Sequence, residues 1–334
     1  MTLSRQPTFA KNGKDGAPGN RHAKTCEEIC LSDLEPKTMV WTYCGIRNVE
    51  LDAAHAPLEL GSGFCLAKPN DVLLSARHRY FMSEEAYKEA EAVSAYLIYK
   101  NEHPAIQDEG WDESLEVFQD GLMALQILKP VRTLGFVFQG SGKSGVASLS
   151  PGPTHHRPPT DGGQWASMRH FDGRLLGEVS DLIPKIRRVM QGMNAEHRNS
   201  IVLLQLGLEH SHPLIAGLLC IMGMEARFDS CDRHDFKKTL CACLGASTLA
   251  FPDWNSPNFP QPKYTVEELA IPMYMLRSKL AHGADLRKAS VDKSTPVDLT
   301  KKVDLIPELE PRANAYLLSE AAVYLLCQVL QKCV

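Results

Sequence analysis

The spacing of apolar residues changes character twice along this chain. Positions 1–37 hold few large apolar residues among many Lys, Gly, Asn and Pro. That is too little burial to offset the entropy of ordering, so a flexible basic arm is expected, with Arg5, Lys11, Lys14, Arg21 and Lys24. From Met39 onward short β-forming runs, Val40–Cys44, Val49–Leu51 and Phe64–Ala67, alternate with polar and glycine turns and predict strands. Ser83 opens an alanine-rich stretch in which Ala86, Ala90, Val93 and Leu97 recur at helical spacing. Leu115, Phe118, Leu122 and Leu125 mark a second helix that ends at Lys129 and Pro130, and Leu134–Gln139 reads as a strand. Positions 38–147 are therefore expected to form an α+β amino-terminal domain, open to a sensing or regulatory role.

Pro151, Pro153, Pro158 and Pro159, with Gly and Thr between them, predict a linker over 148–164. Beyond it the periodicity is helical to the end. Phe171, Leu175, Val179, Leu182 and Ile186 share one face, and Ile201–Leu208 follows. Leu214–Phe228 is apolar almost all round and predicts a central buried helix, begun by Ser211 and Pro213. Phe236, Leu240 and Leu244 supply another amphipathic segment; Pro252, Pro257, Pro260 and Pro262 mark a loop; Leu317–Leu330 is a closing apolar helix. Positions 165–334 thus predict an all-α bundle.

Charge and cysteine content narrow what these parts can do. The 334 residues carry a net charge of -4, so any contact with RNA has to be made in a small local basic cleft. Ten cysteines without a leader-like or membrane-length apolar run predict a reduced, cytoplasmic protein with no membrane contact. Cys231 with His234, and Cys241 with Cys243, lack the paired spacing of a zinc knuckle and are expected to be plain thiols on helices. Glu209, His210 and His212 suit capping and loop positions better than a metal site. Gly140–Ser144 reads GSGKS, but Val137 stands where a phosphate loop needs its first glycine, so a glycine-rich loop is expected there. No cofactor or metal is implied.

One segment concentrates candidate chemistry. Lys263–Gly283 reads KYTVEELAIPMYMLRSKLAHG, with Thr265 and Glu268 in the form of a capping box and Gly283 as a helix stop. Leu269, Met273, Leu276 and Leu280 form a stripe that should face the core, and Pro272 is placed to bend the helix. Arg277 and His282 lie about 140° apart on the helical wheel and flank the opposite face, with Tyr274, Ser278 and Ala281 between them. A cation and an imidazole at that spacing also suit a solvated helix end favoured by the helix dipole. Glu225, near the end of an apolar helix, must reach solvent or meet a cation, with Arg227 and Arg277 as the partners at hand.

The run RSKLAHG at Arg277–Gly283 resembles the R-x4-6-H signature of HEPN domains, especially the ApeA-like branch of bacterial proteins. The helix ending in Gly223, Met224, Glu225, Ala226, Arg227 and Phe228 is similar to one in that branch that ends in a Glu-Ala pair, and Leu122–Phe138 resembles its amino-terminal helix-to-strand step. The resemblance implies an all-α HEPN-type bundle that pairs as a homodimer, both motifs lining one cleft. It implies metal-independent cleavage of single-stranded RNA, with His282 as general acid or base and Arg277 on the scissile phosphate. Ser278, Glu225 and Tyr274 would support them, in a toxin-like or antiviral defence role. Ser278 stands where many members have Asn, Asp or His. A non-catalytic HEPN module that binds RNA, nucleotide or a protein partner is the alternative.

Overall fold

The computed structural model of the chain describes residues 38–47, 49–51, 57–68, 82–102, 109–143, 150–156, 169–170, 173–192, 195–210, 212–229, 232–251, 263–282 and 311–334. The basic arm, the Pro252–Pro262 loop, Ser211, Cys231 and Gly283 lie outside these residues. An antiparallel sheet region comes first and helices follow, as the periodicity indicates. Lys37–Val334 forms one compact unit.

The sheet has six strands in the order β3-β4-β5-β1-β6-β7. They are β1 (Thr38–Arg47), β3 (Leu58–Gly61), β4 (Phe64–Ala67), β5 (Ala95–Glu102), β6 (Arg132–Lys143) and β7 (Ser150–His156). A short parallel pair joins β2 (Val49–Glu50) to β8 (Arg169–His170). Three expectations change here. The helix expected to run from Ala86 to Leu97 is α1 (Glu84–Glu91) only, and Ala95–Glu102 is the strand between β4 and β1. Its Tyr96, Ile98 and Tyr99 favour extended backbone, and pairing on both sides outweighs the helical spacing of Val93 and Leu97. Gly140–Lys143 is not a loop but the end of β6, pairing with β1 and β7. The expected linker 148–164 contains β7, a strand on the edge of the sheet. Proline is tolerated on an edge strand, where one side of the backbone needs no donor, so Pro151 and Pro153 do not forbid pairing.

Each face of the sheet meets a helix. Thr42 of β1 points to α2 (Glu109–Leu128), where its hydroxyl lies 2.8 Å from that of Ser114. Gln139 donates to Thr42 at 3.1 Å and meets His155 of β7 at 2.8 Å. These groups are deeply buried at Thr42, Ser114 and Gln139 and satisfy one another, as buried polar groups must. Tyr43, one residue on, faces the other way, stacking on Phe138 and meeting Tyr96 edge-on. The Tyr96 hydroxyl donates to the Ala90 carbonyl of α1 at 2.9 Å.

The helical part comprises α3 (Gly173–Gln191), α4 (Ala195–Glu209), α5 (Pro213–Phe228), α6 (Arg233–Leu244), α7 (Val266–Ala281) and α8 (Pro311–Cys333). The apolar α5 is the hub, touching α4, α6, α7 and α8. Small residues allow this: Ser200 of α4 donates to the Gly223 carbonyl at 2.8 Å, and Gly217 lies against the backbone of Ser319 in α8. Sheet and bundle are joined through α2, which packs on α3 and α8; Gln331 of α8 donates to the Ile127 carbonyl at 2.7 Å. The core is accordingly continuous from Tyr43 to Leu330.

One carboxylate is strained at the α2–α3 seam. Burial lifts Asp120 from 3.8 to about 6, against the lowering effect of Arg187. Because its folded value lies above its unfolded value, the folded chain holds this proton more tightly. Its contribution to stability therefore falls as pH rises from about 4 to about 6, and stays low above that. Asp120→Asn should be more stable than the parent at neutral pH by about 1–2 kcal/mol, allowing for partial solvent access. The gain should vanish below about pH 4, where the parent is also neutral; urea denaturation at the two pH values checks this.

Candidate functional site

The candidate site is built by α5 and α7. A reciprocal capping box starts α7: Thr265 N–H donates to the Glu268 carboxylate at 2.9 Å, and Glu268 N–H to the Thr265 hydroxyl at 3.4 Å. Leu269, Met273, Leu276 and Leu280 are buried, as their spacing indicates, and Pro272 lies inside the helix. The register of this stripe sets where every polar residue on α7 points.

Arg277 points to α5, where its Nε donates to Glu225 Oε2 at 2.9 Å. The side chains are 30% and 12% exposed, so the pair is largely withdrawn from water but open on the arginine side. Of the two cations open to Glu225 on sequence, Arg277 is the one that meets it. Burial raises the carboxyl's proton affinity, while the charge and hydrogen bond of Arg277 oppose the rise. Among the described residues the terminal amino nitrogens of Arg277 have no hydrogen-bond partner. A guanidinium held by Nε can still present its terminal donors to a phosphate, the fork geometry that suits tetrahedral oxyanions.

Tyr274 lies one turn before Arg277, with its ring centre 5.9 Å from the guanidinium carbon. On the face between Arg277 and His282 it also meets Phe236 of α6, at 5.7 Å between ring centres. A helix of 16 residues contacted by α5, α6 and α8 has little free face, and the wheel alone could not show that α6 takes this side. Phe228 continues the aromatic run against Phe236.

His282 caps the carboxy-terminal end of α7 and is exposed. Its backbone N–H donates to the Ser278 carbonyl at 3.1 Å, so Ser278 contributes a main-chain contact while its side chain is half-buried. His282 lies five residues after Arg277, about 7.5 Å along the helix axis. Arg277, Glu225 and Tyr274 form one contact group, and His282 sits at its solvent end without touching it among the described contacts.

The Glu209, His210 and His212 cluster is local. Gln205 donates to Glu209 at 3.1 Å, and the backbone N–H of His212 donates to His210 Nδ1 at 3.1 Å at the start of α5. Among the described residues no group of three or more His, Cys, Asp or Glu is placed to hold a metal ion, and no helix is long and apolar enough to cross a membrane. The Thr42–Ser114–Gln139–His155 network, buried but for His155, has no sequence signature, because its members come from four separate elements. No protein-family model, no curated protein and no solved structure matches this chain.

Proposed function

We propose that the helical region is a HEPN-type, metal-independent endoribonuclease that cleaves single-stranded RNA, with Arg277 and His282 as its catalytic residues. The observation that carries the reading is Arg277 itself. Its guanidinium is held by Glu225 through Nε yet stays partly exposed, on the helix whose end carries the exposed His282. In this reading the RNA's 2′-hydroxyl attacks the neighbouring phosphorus, and an imidazole takes its proton. Arg277 offsets the added negative charge of the pentacoordinate transition state. A second acid must protonate the departing 5′-oxygen. In this reading the motif of a second copy, sharing the cleft, supplies it.

The surface supports that pairing. Met222, 37% exposed, lies three residues before Glu225 on the same side of α5, and Leu206 of α4 is 47% exposed. Exposed apolar side chains such as these suit burial against a second copy of the chain. The amino-terminal α+β region would then restrain the site or sense a trigger, in a toxin-like or phage-defence effector.

Purified protein should cleave unstructured RNA in EDTA, leaving 2′,3′-cyclic phosphate and 5′-hydroxyl ends, and should spare DNA of the same sequence. Cleavage that requires added metal, or RNA bound but never cut, would overturn the nuclease reading. One observation favours the non-catalytic alternative: Arg277 is already engaged by Glu225 and Tyr274, as a purely structural tie would be. RNA or nucleotide binding without cleavage is the result that reading expects.

A further inference from the structure

The ends of α6 and α8 bring two half-buried cysteines, 90 residues apart in sequence, into contact. The sulfurs of Cys243 and Cys333 lie 3.9 Å from each other, both as free thiols. Their neighbourhood is braced. The Lys332 ammonium, adjacent to Cys333, donates to the carbonyls of Cys243 and Leu244 at 3.1 and 3.4 Å, bonding the last carbonyls of α6 from the last turn of α8. Thr248 donates to the Leu244 carbonyl as well, closing the turn after α6. The two helix ends are thus tied by contacts that do not involve sulfur, and the thiols are aligned before any reaction.

We propose that Cys243 and Cys333 are an oxidative modification site that hydroperoxides convert to a disulfide clip between α6 and α8. Cys333 is the thiol that meets the oxidant: both thiols are half-buried, and Cys333 is the one at the last position of its helix, α8. Burial, and then Cys333 itself, push Cys243 up to about 11, so Cys243 is a poor first nucleophile and acts as the resolving thiol. In the first step the Cys333 thiolate attacks the peroxide, the O–O bond breaks, and Cys333 becomes a sulfenic acid while the peroxide leaves as an alcohol or water. In the second, the Cys243 sulfur displaces the sulfenic oxygen, which leaves as water with the Cys243 proton. Two electrons pass to the peroxide and one S–S bond forms. Of the other described thiols, Cys44, Cys65, Cys220 and Cys327 are buried, and Cys241, half-buried like the pair, meets no second thiol among the described contacts.

The bridge closes a loop that contains all of α7, the helix with Arg277 and His282, so it restricts the unfolded chain and should raise the denaturation midpoint. The test is peptide mapping of the folded full-length chain after brief hydrogen peroxide treatment and blocking of free thiols. A peptide joining Cys243 to Cys333, lost on reduction and absent from Cys333→Ser, is expected. Cys333→Ser, at a half-exposed helix end, keeps the fold, which guards against loss of the bridge through unfolding of Cys243→Ser. Methionine oxidation anywhere in the same peptide map reports that oxidant reached the protein. Methionine oxidised with no Cys243–Cys333 peptide would overturn the proposal. Equal yields of that peptide from native and urea-unfolded chain, or a lower midpoint for the bridged protein, would do the same.

Discussion

His282→Ala should lower RNA cleavage by about 10²–10⁴-fold, the usual worth of a positioned general acid or base, while leaving the fold intact. The side chain is exposed, and its backbone N–H bond to Ser278 survives in alanine, so stability should change by no more than about 0.5 kcal/mol. Arg277→Ala should lose cleavage too, but with a second cost. It leaves Glu225, only 12% exposed, without its cation. Breaking a fully buried pair costs roughly 3–5 kcal/mol, and the open arginine side reduces this to roughly 1–3 kcal/mol here. The two substitutions therefore separate chemistry from packing: both lower the cleavage rate, and only one shifts the urea midpoint. Initial rates on end-labelled RNA beside denaturation curves measure both. Parental rates in His282→Ala would remove His282 from the reaction and leave Arg277 as a structural tie to α5.

What the chain discloses by itself follows how local each interaction is. The capping box and apolar stripe of α7 depend on neighbours three or four residues away, and Thr265, Glu268, Leu269, Met273, Leu276 and Leu280 occupy the expected positions. The central place of α5 was equally legible, since a helix apolar on all sides has nowhere to go but between others. Strand β5 was obscured because Val93 and Leu97 continue the spacing of Ala86 and Ala90 across the end of α1. Its assignment depends on β4 and β1, whose registers no local window contains. Pro151 and Pro153 likewise signal a linker unless the partner strand is known to lie on one side only. At the site, a buried carboxylate's need for a cation limited Glu225 to two partners. The choice between Arg227 and Arg277 required the crossing of α5 and α7. The wheel places Tyr274 on the face between Arg277 and His282, but not its contact with Phe236, which a different helix contributes.

Gly217→Leu should destabilise the protein by about 3 kcal/mol or more, the largest stability loss expected from a single added side chain in the bundle. A Cβ at Gly217 would lie 2.5 Å from the Cα of Ser319, as well as from its Cβ and hydroxyl. The obstacle includes backbone, so no rotamer of Ser319 relieves it. Ser319 is itself bonded back to the Ala315 carbonyl at 2.9 Å and belongs to the buried part of α8. Helices α5 and α8 must therefore move apart. Against α4, α5 is held by Gly223, whose carbonyl accepts from Ser200, and by Ala216 beside Gly207. Displacement toward α4 meets that second close contact. Gly217→Ala gains roughly 1 kcal/mol of helix propensity, which offsets part of the clash, so its loss should be smaller than that of leucine. Urea denaturation followed by circular dichroism ranks the three proteins. Because Glu225 lies eight residues farther along α5, any shift of this helix also moves the carboxylate that holds Arg277. In the folded fraction of Gly217→Ala, cleavage should thus fall while RNA binding at saturating concentration persists. Leucine tolerated within 1 kcal/mol would mean that α5 and α8 do not approach as closely as Gly217 and Ser319 require.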